Sequence, residues 1–216
     1  MLFDGTYFHQ QGCLLVMMDA QKQHIVMSQY VDKESYPSVS PLLASLQEQR
    51  LKPRAVTVDG HPHVIRAFRD TWPRIIIQRC LYHIQREGMR WLRSHPKTQA
   101  GKELRVLLNT VTHIRSVKER DLFLKTFDAW QIRYGDFVKS LPRTSVAFKD
   151  LKRTVALINN ARPNMFHYLF DSKIRSTTNL LESFYSRLKS DFQRHRGLSE
   201  QHKISYLNWY CYFENN

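Results

Sequence analysis

Cys13-Leu14-Leu15-Val16-Met17-Met18 is apolar at every position and offers no polar face to water. A half-exposed strand alternates; an unbroken run of this length reads as a strand covered on both faces. Shorter runs of the same character flank it, Leu2 to Phe8 before and His24 to Val31 after. The turn-prone stretches His9-Gln10-Gln11-Gly12 and Asp19-Ala20-Gln21-Lys22 separate them, so the first part of the chain is predicted to be a β-meander.

Moving outward, Ser40-Pro41 is expected to open a helix, with Ser40 as N-cap, Pro41 in the first turn, and Leu42, Leu43 and Leu46 turned inward. Ala55-Val56-Thr57-Val58 reads as a fourth strand that ends at Asp59-Gly60. A short helix follows with Val64, Ile65 and Phe68 on one face, Pro73 stops it, and Arg74 to Gln78 makes a fifth strand. From Arg79 the pattern turns helical. Leu104, Leu107, Leu108 and Val111 form one apolar stripe; Leu122, Phe123, Phe127 and Trp130 form another. Two further helices are expected at Thr178 to Phe192 and Glu200 to Phe213. Three consecutive strands followed by βα alternation predict an α/β fold, a mixed five-stranded sheet with helices on its faces. The chain divides into a core of residues 1–78 and 176–216 and an all-helical insertion, 79–175, before the penultimate helix.

Lys and Arg number 33 against 19 Asp and Glu, a formal charge of +14. That surplus favours a polyanionic partner, because neutralising phosphates releases condensed counterions. Three cysteines (Cys13, Cys80, Cys211) without framework spacing suit a reducing compartment. No apolar run reaches the roughly 18 residues of a membrane span, and the N-terminus is not a signal peptide.

In so basic a chain the acidic positions are informative. Asp4 lies inside the first strand, Asp59 closes the fourth, and Glu182 sits in the first turns of a helix within Ser176-Thr177-Thr178-Asn179-Leu180-Leu181-Glu182. If the first and fourth strands are neighbours, Asp4 and Asp59 face each other, and a divalent cation would relieve their repulsion. Each residue alone has a plainer reading. Asp59-Gly60 is a common turn pair, Asp4 fits an edge-strand carboxylate, and Glu182 could complete a capping box with Asn179.

Together their contexts are specific. Asp4-Gly5-Thr6-Tyr7-Phe8, Val58-Asp59-Gly60, Cys80-Leu81-Tyr82-His83 and Thr178-Asn179-Leu180-Leu181-Glu182-Ser183, with Leu188-Lys189, follow in an order that resembles the Mutator-like transposases and related prokaryotic insertion-sequence enzymes. The resemblance covers nearly the whole chain and is weakest from about residue 95 to 170. It implies an RNase H-like DDE catalytic domain with a helical insertion before the last catalytic carboxylate, and metal-dependent DNA strand cleavage and strand transfer. It makes Asp4, Asp59 and Glu182 the catalytic, metal-holding triad for two Mg²⁺ or Mn²⁺ ions, and places the family's Cys-x-x-His element on Cys80 and His83. It further implies transposon ends and target DNA as partners, a homo-oligomer on paired ends, and a cytoplasmic or nuclear location. Family members carry a DNA-binding region upstream of the first Asp; only three residues precede Asp4, so that region is expected to be missing here.

Cys80 and His83 are spaced as half a zinc site, but no second such pair exists; on one helical face they read as buried packing and a contact to DNA or a carboxylate. A structural histidine is the equally simple reading. After Glu182, the basic residues Arg187, Lys189, Arg194 and Arg196 suit phosphates of the scissile strand, or a solvated face. Two other functions compete with an active transposase core: a catalytically inactive or truncated transposase-derived DNA-binding protein, and a nuclease of another RNase H-like kind.

Overall fold

The computed structural model describes residues 1–8, 12–195 and 197–215. Its first three strands, β1 (Leu2–Tyr7), β2 (Cys13–Asp19) and β3 (His24–Val31), pair antiparallel as a meander. β4 (Ala55–Val58) and β5 (Ile76–Arg79) add in parallel on the other side of β1, giving the order β3-β2-β1-β4-β5. The first strand is therefore central and has a neighbour of each orientation.

Every residue from Cys13 to Met18 is buried, and its two faces feed different cores. Cys13, Leu15 and Met17 pack with Phe3, Val56 and Val58 against α1 (Tyr36–Glu48) and α2 (Pro62–Thr71). Leu14, Val16 and Met18 pack against α7 (Asn179–Phe192) and α8 (Glu200–Phe213). Between these lie α3 (Leu81–Leu92), α4 (Gln99–Thr110), α5 (Val117–Ser140) and α6 (Val146–Ala161), which share a third core around Leu104, Leu108, Phe127 and Ile158. A mixed five-stranded sheet flanked by helices, with an all-helical insertion ahead of α7, is the RNase H-like architecture.

Three local expectations shift. The first helix begins one turn before Ser40: Ser35 is its N-cap, the Ser35 amide donates to Ser38 Oγ at 2.9 Å, and Pro37 rather than Pro41 occupies the first turn. The fifth strand starts later and includes Arg79, which pairs with Val58. On α5 the inward stripe is Phe123, Phe127 and Trp130; Leu122, a helical step of about 100° off it, is 66% exposed.

Candidate metal centre

The parallel pairing of β1 with β4 sets Leu2 opposite Thr57. Two residues on from each lie Asp4, within β1, and Asp59, just past the end of β4, so the parallel pairing brings these carboxylates together. Asp4 is only 8% exposed. Its Oδ1 accepts from the Gly5 amide at 2.9 Å, and its Oδ2 lies 3.5 Å from the Thr178 hydroxyl. Asp59 Oδ1 accepts from the His61 amide at 2.7 Å, which holds the turn after β4.

Glu182 arrives from the far end of the insertion, and polar side chains on the sheet fix its approach. Thr57 Oγ1 donates to the Arg175 carbonyl at 2.6 Å, and Gln78 Nε2 donates to the Met165 carbonyl at 2.6 Å. The Leu81 amide donates to the Ser176 carbonyl at 2.9 Å. Cys80 Sγ accepts from the Thr178 amide at 3.3 Å, at the N-cap of α7. One turn along α3 from that anchor, His83 Nε2 stands 3.3 Å from Glu182 Oε1, and Arg86 Nη1 stands 3.5 Å from the same oxygen. The plainer reading of Glu182, a capping box with Asn179, does not hold: Thr178 is the N-cap, and the Glu182 carboxylate turns to α3.

The product is a cluster in which Asp4, His83 and Glu182 each offer one ligand atom, all within 4.8 Å of one another. It is the one such group among the described residues, and it can hold one metal ion. The electrostatics call for a cation. Asp4 has no ion pair among the described residues, and its carboxyl is pushed well above the usual range, first by burial, then by Asp59, Glu182 and Glu34. Burial, then Arg86, lowers His83, which favours its neutral imidazole, the form that ligates metal. The two hard carboxylates suit Mg²⁺ or Mn²⁺, whereas the imidazole is a ligand more usual for a transition metal than for Mg²⁺.

Of the residues singled out from the sequence, Asp4 and Glu182 meet directly. Asp59 stands beside Asp4 through the strand pairing and outside the three-residue cluster, where His83 takes the third place. Cys80 is buried and engaged with Thr178, its thiol pushed up by burial, and Sγ belongs to no candidate metal group among the described residues. Arg187 pairs with Glu214, Lys189 Nζ lies 5.7 Å over the Phe8 ring, and Arg194 is exposed. Arg196 lies outside the described residues.

Glu34 joins this site without any signal in the sequence. It sits in the loop between β3 and α1, with Oε1 3.4 Å from where a side chain on Gly5 would begin. Burial, then Asp59, raises its carboxyl to about 7. No motif marks it; its closeness to Asp4 follows only from where the meander ends. Tyr185 is a further support of the site: its hydroxyl donates to the Asp4 carbonyl at 2.7 Å and fixes α7 to β1.

Residues 13–203 match the family described as Transposase, Mutator family. That stretch contains Asp59, Cys80, His83 and Glu182, and begins after Asp4. No curated protein matches the chain.

Proposed function

We propose, from the premise that the chain belongs to the Mutator family of transposases, that it cuts and joins DNA strands with Asp4, Asp59 and Glu182 as its catalytic carboxylates. The observation that carries this is the convergence of Asp4, His83 and Glu182 within 4.8 Å, from a strand, a helix and a helix far apart in sequence. We read residues 1–78 and 176–216 as the catalytic core and 79–175 as its insertion.

Asp4, His83 and Glu182 would hold one divalent ion, Mg²⁺ or Mn²⁺, and Asp4 with Asp59 would hold a second. Such ions supply charge stabilisation at the phosphoryl oxygens and activation of the attacking oxygen. The chain's own residues do the positioning. Gly5 and Thr178 orient the Asp4 carboxylate, while Arg86 orients that of Glu182. Arg86, half exposed beside Glu182, adds positive charge where a strand's phosphates would approach. The reaction is an in-line displacement at phosphorus: a P–O bond forms to water in cleavage or to a 3′-hydroxyl in joining, and the bond to the leaving oxygen breaks. Arg187, Lys189, Arg194 and Arg196 are assigned to DNA backbone contacts that carry no sequence information. The partners would be transposon ends and target DNA, handled by a homo-oligomer wherever the DNA resides.

Nicking of supercoiled plasmid with Mn²⁺, with and without chelator, tests the reading. Chelator should abolish nicking, and Asp4→Ala, Asp59→Ala and Glu182→Ala should each lower it by about a thousandfold, equivalent to roughly 4 kcal/mol of barrier. Nicking undiminished in all three variants overturns the assignment. A folded wild-type chain that binds DNA and never nicks it leaves a non-catalytic DNA-binding protein instead.

A further inference from the structure

Arg79 is the last residue of β5 and is 7% exposed, yet no hydrogen bond reaches its guanidinium among the described residues, and its Nε is buried without a partner. A buried cation in this condition is costly unless an anion meets it. Asp59 lies near enough to favour its charge but forms no ion pair with it. The guanidinium lies against Gly60, where a Cβ would stand 1.8 Å from Nη2, so the missing side chain at Gly60 leaves this space to the arginine.

The guanidinium opens into a cleft of 490 Å³ between α2 and the end of α6, lined also by Gly60, Arg66, Arg69, Asn160 and Asn164. Asp70, in the same wall, is already satisfied by Arg66 Nε at 3.4 Å and the Tyr36 hydroxyl at 2.9 Å. Arg69 has no ion pair among the described residues. The cleft thus holds two arginines without carboxylate partners and two amides able to donate, one strand-end away from Asp59.

We infer that this cleft is a second contact of the protein with its DNA: it seats a backbone phosphate of the strand running past the metal centre, with Arg79 as its floor and the α6 end as its far wall. This rests on the reading of the metal centre as DNA-processing. A guanidinium fork matches two phosphate oxygens at once, and Asn160 and Asn164 supply neutral donors to the others. The contact would tie α6 to the DNA path, since Arg79 pairs with Val58 in the sheet.

The test is fluorescence anisotropy of a labelled 30-base-pair duplex titrated with the full chain in EDTA, so that neither metal nor cleavage contributes. Arg79→Gln should weaken binding about tenfold and reduce the magnitude of the log–log salt slope by roughly one. Should Arg79→Gln fail to fold, Arg69→Gln and Asn160→Asp decide. Each should weaken binding several-fold, whereas Lys125→Gln, an equal charge change on exposed α5, should shift it less than about twofold. Cleft variants that bind like Lys125→Gln, or a wild type with no affinity for the duplex, overturn the inference. Cleft-dependent binding without Mn²⁺-dependent nicking would overturn the catalytic reading and leave this contact standing; wild-type nicking with cleft variants of unchanged affinity would do the reverse.

Discussion

The carboxylates of the insertion and those at the sheet end are treated in opposite ways. In the insertion, the Arg162 fork holds Asp128 below its usual range with bonds of 2.7 and 2.9 Å, and Lys139 does the same for Asp136. At the sheet end, Asp4 and Glu34 are both raised, by burial first and then by other carboxylates. The cores differ in the same sense. In α4–α6 the buried Thr154 is satisfied by the Asp150 carbonyl at 2.8 Å, and Gln131 Oε1 is the one buried side-chain nitrogen or oxygen there without a partner among the described residues. Around the sheet end, Asp4, Arg79 and His83 are buried, and Arg79 and His83 each keep a buried nitrogen without a partner. One region is organised for its own stability. The other gathers carboxylates whose mutual repulsion either a proton or a bound metal cation would relieve.

The sharpest break between the regions should come from one chemical change made in both. Asp4→Asn and Glu182→Gln should each cost about a thousandfold in Mn²⁺-dependent plasmid nicking without lowering the melting temperature of the metal-free protein. Asp128→Asn, in the insertion, should leave nicking near wild type, because an exposed ion pair contributes little. Equal loss from all three would erase the distinction.

Next in size is packing. Phe127 is fully buried in the insertion core, so Phe127→Ala should cost about 3–5 kcal/mol in denaturant unfolding. A cost under about 1 kcal/mol would mean the insertion core is not close-packed.

The pH dependence has opposite signs in the two regions. Glu34, raised to about 7, binds its proton more tightly folded than unfolded. Its stabilising contribution is complete below about pH 4.3, the unfolded value, and is lost as pH rises through about 7. In EDTA, Glu34→Gln should flatten unfolding free energy across that window, with the slope that remains belonging to Asp4, which is raised in the same direction. The lowered Asp128 does the reverse, losing its contribution as the solution becomes acid. Excess Mn²⁺ should invert the sheet-end trend, since metal binds the deprotonated groups. An unchanged slope in Glu34→Gln removes Glu34 from the site.

The smallest effect sharpens the contrast further. Gly135 on α5 has open space where a Cβ would go, so Gly135→Ala should stabilise by about 1 kcal/mol. Gly60→Ala should instead displace the Arg79 guanidinium and weaken DNA binding; equal, silent outcomes at both glycines would deny Gly60 its role.

Much of the fold was legible because its signals are local. The six-residue apolar run of β2 announces a strand buried on both faces, and the turn signals around it announce the meander. The strand order followed from topology: once β4 lies parallel to β1, Asp4 and Asp59 are neighbours, as the conditional reading of the sequence required. What stayed hidden depends on tertiary placement. His83 was visible as half of a spaced pair, yet its approach to Glu182 depends on Cys80 anchoring Thr178, a bond between residues with no sequence relation. Glu34 and Arg79 carry no motif, and their importance lies in what surrounds them. The helix start at Ser40-Pro41 was misplaced because Ser35 and Pro37 provide the same signals one turn earlier.

Anomalous scattering from crystals of the full chain grown with Mn²⁺ tests the central claim most directly. The account predicts a manganese peak bounded by the Asp4, His83 and Glu182 side chains, lost in Asp4→Asn crystals. Manganese bound elsewhere on the protein, with those three side chains well ordered and no peak between them, would contradict it.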